Sequence, residues 1–246
     1  MEPTVLLVSV LALLTAVATG FGAAPFIFVE HLSKKWIGVS NAVAAGLMLS
    51  ASFGLIYEGL AYGLWSTLIG ILIGLVLIYL TRTLINREDH QVGFSSMSAL
   101  DARKALLIVV VMTAHSFAEG IAVGVSFGGG QALGLFITLA IAAQNVPEGL
   151  ATSVVLVPRG ERVSLAALWS IFTSLPQPIM APLAFLFVET FRSVLPVGLG
   201  FAAGAMIWMI FAGLIPDALD EAPSGLVGAV VTLSVAAMVL IQVLLG

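Results

Sequence analysis

Cysteine is absent from the 246 residues, which excludes disulfides and thiolate-held metals and leaves the redox compartment unread. Charge is almost as scarce. Asp, Glu, Lys and Arg together make up 9% of the chain, against about 25% in an ordinary soluble domain. Hydrophobic residues account for 60%, and the mean hydropathy is +1.16. No compact soluble fold can hide that much apolar surface, so lipid must be part of the solvent. The net charge of −4 gives no reason to suspect a nucleic-acid partner. No nucleotide-binding motif is present, and no His-Glu-x-x-His metallopeptidase motif. The N-terminal Met1-Glu2-Pro3-Thr4 lacks a basic leader region, and the apolar run through Phe28 is too long for a signal core. That run reads as a retained span.

A spanning helix needs roughly 20 mostly apolar residues. Eight runs meet this, at about 4–28, 36–57, 63–85, 105–127, 131–157, 163–188, 195–216 and 225–245. The expected fold is therefore an all-α membrane protein of eight transmembrane helices in a single transmembrane domain, 1–246. The only long linker, about 86–104, holds nothing that could build a second domain. Loops after odd-numbered spans carry Lys34, Lys35, Arg82, Arg87, Arg103, Lys104, Arg159 and Arg162, and even-numbered loops carry only Arg192. This asymmetry places the 86–104 loop in the cytoplasm and both termini outside. Gly70/Gly74, Gly120/Gly124 and Gly200/Gly204 have the spacing of close helix–helix seams and read as packing devices.

Most acidic residues fall in loops or at helix ends. Glu119 and Glu148 instead sit near the middle of apolar spans, where a charge costs at least about 2.5–3.5 kcal/mol on insertion scales. Their surroundings match. Span four reads His115-Ser116-Phe117-Ala118-Glu119-Gly120-Ile121-Ala122, and span five reads Gln144-Asn145-Val146-Pro147-Glu148-Gly149-Leu150-Ala151. In each, a side chain able to hold a metal precedes Glu by four residues, and both therefore project from one helix face. If the two helices face each other, His115, Glu119, Gln144 and Glu148 converge as one imidazole and several oxygen groups. That donor set suits zinc, and would also accept iron, manganese or cadmium. Pro147 cannot donate to the Ala143 carbonyl and is expected to break span five beside the site.

These paired motifs resemble the ZIP family of zinc and iron transporters, and more narrowly its GufA-like branch. Ala51-Ser52-Phe53, Leu175-Pro176-Gln177-Pro178 and Gly204-Ala205-Met206-Ile207-Trp208 resemble the same branch, in wording closest to cyanobacterial and plastid members. The resemblance implies a 3+2+3 arrangement, with inverted three-helix repeats around helices four and five. It also implies a homodimer in a bacterial inner membrane or a plastid membrane. The family's first metal site falls on His115, Glu119, Gln144 and Glu148. Its second site usually takes Asn, Asp and Glu at positions that here read Ser116, Asn145 and Gln177. Two formal charges are thereby lost, and two dications about 4 Å apart repel strongly without bridging carboxylates. One firmly held metal is expected, with at most a weak second.

Ala212-Gly213 stands where many members carry an acidic or histidine pair, so Asp217, Asp220 and Glu221 become the candidate exit residues, with Glu30 and His31 nearby. Glu58, at the outer end of span two, is the candidate entrance. The long loop has only His90 with Glu88 and Asp89, too little for a metal-buffering role. The function expected is passage of a divalent cation toward the cytoplasm, with the metal as substrate and no organic cofactor. An intramembrane zinc hydrolase is the enzymatic alternative, and a metal sensor or transport-dead relative is the third.

Overall fold

The computed structural model describes residues 3–29, 32–87, 113 and 115–245. Glu30, His31, most of the 86–104 loop and the first part of span four lie outside the described residues. Every regular element among the described residues is helical. The helices are α1 (Val5–Gly20), α2 (Lys34–Tyr62), α3 (Leu64–Arg87), α4 (115–129), α5 (Gln131–Leu156), α6 (Val163–Thr173), α7 (Pro176–Thr190), α8 (Leu195–Met209), α9 (Ile215–Glu221) and α10 (Ser224–Leu245). Seven described stretches are long and apolar enough to cross a membrane: Val5–Ile27, Lys34–Tyr62, Leu64–Thr81, Gln131–Leu156, Val163–Thr190, Arg192–Glu221 and Ser224–Leu244. Large apolar side chains such as Leu72, Phe187, Leu233 and Leu244 are exposed on their outward faces, as a lipid solvent requires. The chain is an integral membrane protein.

Three of these stretches are interrupted. After α1 the chain tightens into a 3-10 helix, Phe21–Ile27, in which Pro25 has no N–H to offer the Phe21 carbonyl. The sixth path is split at Ser174-Leu175, because Pro176 and Pro178 cannot donate to the carbonyls four residues before them. The seventh widens into a π-turn, Ile210–Leu214, between α8 and α9. Span five is not interrupted. α5 runs through Pro147 without a break, contrary to the expectation from its sequence. One missing hydrogen bond is tolerable when neighbours brace the turn, and here α1 does so. A Cβ placed on Gly22 would come within 2.5 Å of the Val146 carbonyl oxygen, and one on Gly149 within 1.7 Å of the Thr19 carbonyl oxygen.

α5 lies between two groups of helices. α1, α6 and α7 pack together on one side, with α1 and α6 also against α5, and α2 and α10 pack against it from the other. α2 in turn packs on α8 and α9. α3 runs along α8 through a reciprocal glycine seam. Gly70 and Gly74 face the carbonyls of Val197 and Phe201, while Gly200 and Gly204 face those of Thr67 and Ile71. Gly120 and Gly124 seat α4 on α7 at Gln177 and Ala181. Met48, Leu55, Ala122, Val123, Ile137, Ile141, Leu199 and Met206 fill the core between these helices and are fully buried.

Candidate metal centre

Glu119 on α4 and Glu148 on α5 are buried side by side, their carboxyls close enough to interact. The glycine seats explain how such groups come together: Gly120 lets α4 settle on Gln177 of α7, and Gly149 lets α5 settle on α1. The Glu119 carboxylate accepts a hydrogen bond at Oε1 from Gln144 Nε2, and one at Oε2 from Gln177 Nε2 at 2.7 Å. Gln177 Oε1 in turn lies 2.6 Å from the Thr15 hydroxyl and 3.1 Å from Asn145 Nδ2. Asn145 Nδ2 also donates to the Thr15 backbone carbonyl at 2.7 Å. Thr15, Glu119, Gln144, Asn145 and Gln177 all expose 0% of their surface.

Against this satisfied network stand four buried polar atoms without a hydrogen-bonding partner at the centre. They are Gln144 Oε1, both carboxylate oxygens of Glu148, and Ser116 Oγ. Buried acceptors are almost always paired, so a cluster of orphans is a place able to take a cation or a donor. Two buried carboxyls side by side repel when both are ionised, and a cation or a proton between them would relieve that repulsion. The acceptors are oxygens, hard ligands suited to a divalent ion.

The structure thus gathers Glu119, Gln144 and Glu148 together with Asn145 and Gln177. It does not complete the expected set. Among the described residues no group of three or more His, Cys, Asp and Glu side chains is close enough to hold a metal, so His115, half-buried at the start of α4, is not drawn in with the two glutamates. Thr15 and Thr19 were not singled out from the sequence. They stand one turn apart on α1, Thr19 sharing a 2.8 Å hydrogen bond with Ser174 at the break between α6 and α7. The only signal for them was two hydroxyls at helical spacing in an otherwise apolar run.

The candidate mouths lie at the two ends. Glu58, half-buried, packs beside Gly129 at the end of α4. There Arg192 donates to the Gly128 carbonyl at 2.7 Å and pairs with Glu189 at 2.8 Å. At the opposite end α9 carries Asp217 and Asp220, both exposed, and Glu221, which lies 3.8 Å from Lys34.

Comparison with known proteins identifies the family. The family model described as ZIP Zinc transporter matches residues 81–243. A protein of Arabidopsis thaliana that carries a zinc-transporter name is 48% identical over 237 residues, covering 94% of this chain but only 38% of the relative's length. Zinc transporter GufA of Myxococcus xanthus is 33% identical over 85% of this chain and 87% of its own. Zinc transporter ZIPB of Bordetella bronchiseptica is 30% identical over 81% of this chain and 69% of its own. The buried glutamates of α4 and α5 both fall inside the matched region, and the chain belongs to the ZIP zinc transporter family.

Proposed function

We propose that this chain carries a divalent cation, zinc foremost, across a membrane, and that the cation is held between α4 and α5 on Glu119, Gln144 and Glu148. The observation that carries this reading is the set of buried acceptors without donors, Gln144 Oε1 and both oxygens of Glu148. A cation would satisfy all three at once. His115, one turn before Glu119, is assigned as the nitrogen ligand of the loaded state, which requires α4 to adjust. Because Glu119 and Gln144 are fully buried, the cation cannot reach them without movement of one helix group against another. Two groups meeting along α5 suit alternating access.

The finer arrangement follows the same reading: eight spans in one domain, a 3+2+3 order, both termini outward, a cytoplasmic loop at 86–104, and passage from Glu58 toward Asp217, Asp220 and Glu221. A homodimer in a bacterial inner membrane or a plastid membrane completes it. Iron, manganese and cadmium remain candidate cargoes beside zinc. The hydrolase alternative loses ground because the relatives carry transporter names.

The test is zinc uptake into proteoliposomes loaded with a fluorescent chelator. Glu148→Ala is expected to abolish uptake while the protein elutes as the wild type does. Stoichiometric zinc binding without flux in the wild type would instead favour a sensor or a transport-dead relative.

A further inference from the structure

The two oxygens of Glu119 meet unlike surroundings. At Oε1 lies Gln144, whose own carbonyl oxygen is unsatisfied, with Glu148 and its two unsatisfied oxygens alongside. At Oε2 lies Gln177, and there the side-chain carbonyl oxygens of Gln177 and Asn145 each face a donor. A carboxylate set among polar side chains can bridge two divalent cations, one on each oxygen. Here only one of the two places is left open.

The direction of the amides follows from a group that cannot be reversed. The Thr15 backbone carbonyl only accepts, so the Asn145 side chain must present its NH2 there, at 2.7 Å. The other hydrogen of that NH2 points at Gln177, 3.1 Å away, and requires the Gln177 carbonyl oxygen to face it. The Gln177 NH2 then falls on Glu119 Oε2 at 2.7 Å, with Asn145 Oδ1 3.4 Å away on its other side. Reversing Gln177 would set two NH2 groups against each other and a carbonyl oxygen against a carboxylate. The Thr15 hydroxyl is not what decides this. It has one proton and two acceptors within reach, the Ala12 carbonyl at 2.7 Å and Gln177 Oε1 at 2.6 Å.

We propose that the Gln177 amide, aimed by Asn145 from the backbone carbonyl of Thr15, is a fixed donor on Glu119 Oε2 and limits the centre to one divalent cation at a time. Asn145 is then a positioning residue, and Gln177 sets the number of ions bound. This rests on reading the Glu119–Glu148 cluster as the cation site, and deepens that reading. Partial positive charge on an NH2 anchors Glu119 without the strong repulsion a second dication would bring to the first. A cation held alone, without a bridged neighbour, also has fewer carboxylate bonds to break on release.

The experiment measures zinc bound per chain, by equilibrium dialysis and elemental analysis of the purified full chain in detergent. Wild type is expected to bind one zinc. Gln177→Glu keeps the shape but sets a carboxylate oxygen opposite Glu119 Oε2 with no hydrogen between them, and is expected to bind two. Asn145→Ala adds neither ligand nor charge. It unfastens Gln177, which can then turn its carbonyl oxygen toward an ion, and a second zinc is expected with affinity at least about tenfold weaker than the first. Gain of an ion on deletion of a side chain is a result a merely structural Asn145 would not give. Two zinc ions in the wild type would overturn the proposal and leave the transport reading standing. So would a single zinc in Asn145→Ala at all concentrations, whether or not Gln177→Glu folds. Zinc binding by Glu148→Ala equal to that of wild type, or none by wild type, would overturn the cation-site reading and the proposal together.

Discussion

Gly149→Ala is the substitution on which the architecture of the centre can be tested most sharply. A Cβ at this position would lie 1.7 Å from the Thr19 carbonyl oxygen, a backbone atom with no rotamer to change, while ordinary contact begins at 3.4 Å. α1 must therefore withdraw from α5 by about the difference. That retreat carries the Thr15 carbonyl with it, four residues earlier on the same helix, and stretches its 2.7 Å bond from Asn145 beyond hydrogen-bonding distance. Overpacking of this kind costs about 1–3 kcal/mol. A buried amide left without its acceptor adds about 1–3 kcal/mol. The expected loss is about 2–6 kcal/mol, at roughly 2–4 °C per kcal/mol for a chain of this size. It would be read as a fall in melting temperature in detergent, accompanied by loss of zinc uptake. Gly225→Ala and Gly228→Ala on α10 meet nothing within 4 Å and serve as controls, with melting and uptake unchanged. Wild-type melting and uptake in Gly149→Ala would refute the close α1–α5 seat and the alignment of the centre that depends on it.

Three further outcomes follow from individual contacts. Pro147→Ala supplies a donor to the Ala143 carbonyl within an already continuous α5, and is expected to leave uptake intact and stability unchanged or raised by up to about 1 kcal/mol in a melting assay. Arg192→Ala removes the 2.7 Å bond to the Gly128 carbonyl and, with the arginine 59% exposed, should lower stability by about 0.5–1.5 kcal/mol by the same measurement. Lys34→Ala loses only a 3.8 Å pair in which the lysine is 82% exposed, and its melting temperature should match wild type, the pair contributing at most about 0.5 kcal/mol.

Seven of the runs read as spans coincide with long apolar helices, because hydropathy over about 20 residues is a property of the run itself. The glycine pairs were legible as seams, but not the partner of each. That α3 and α8 present glycines to one another is a tertiary fact. Glu119 and Glu148 were legible because a midspan carboxylate is rare, and matched neighbours placed Gln144 with them. Thr15 was not, since a threonine inside a span usually bonds its own helix and attracts no notice. Pro147 misled for a different reason. The proline rule is local, whereas the turn it occupies is braced by Gly22 and Thr19 of another helix. The split at Ser174-Leu175 was not anticipated, although two prolines flank Gln177 just beyond it.

The π-turn at Ile210–Leu214 also governs what the end of the seventh path shows to water. Met206 is fully buried, and in an unbroken α-helix the residue eleven places on, three turns later, would share its face. That residue is Asp217. The wide turn absorbs one extra residue and advances the helical phase, so Ala218 and then Ala222 occupy the inward positions at 0% and 6% exposure, and Asp217 is turned out to the surface. A single-residue change in winding thus determines whether this helix ends on an acidic surface or on a carboxylate buried against α2.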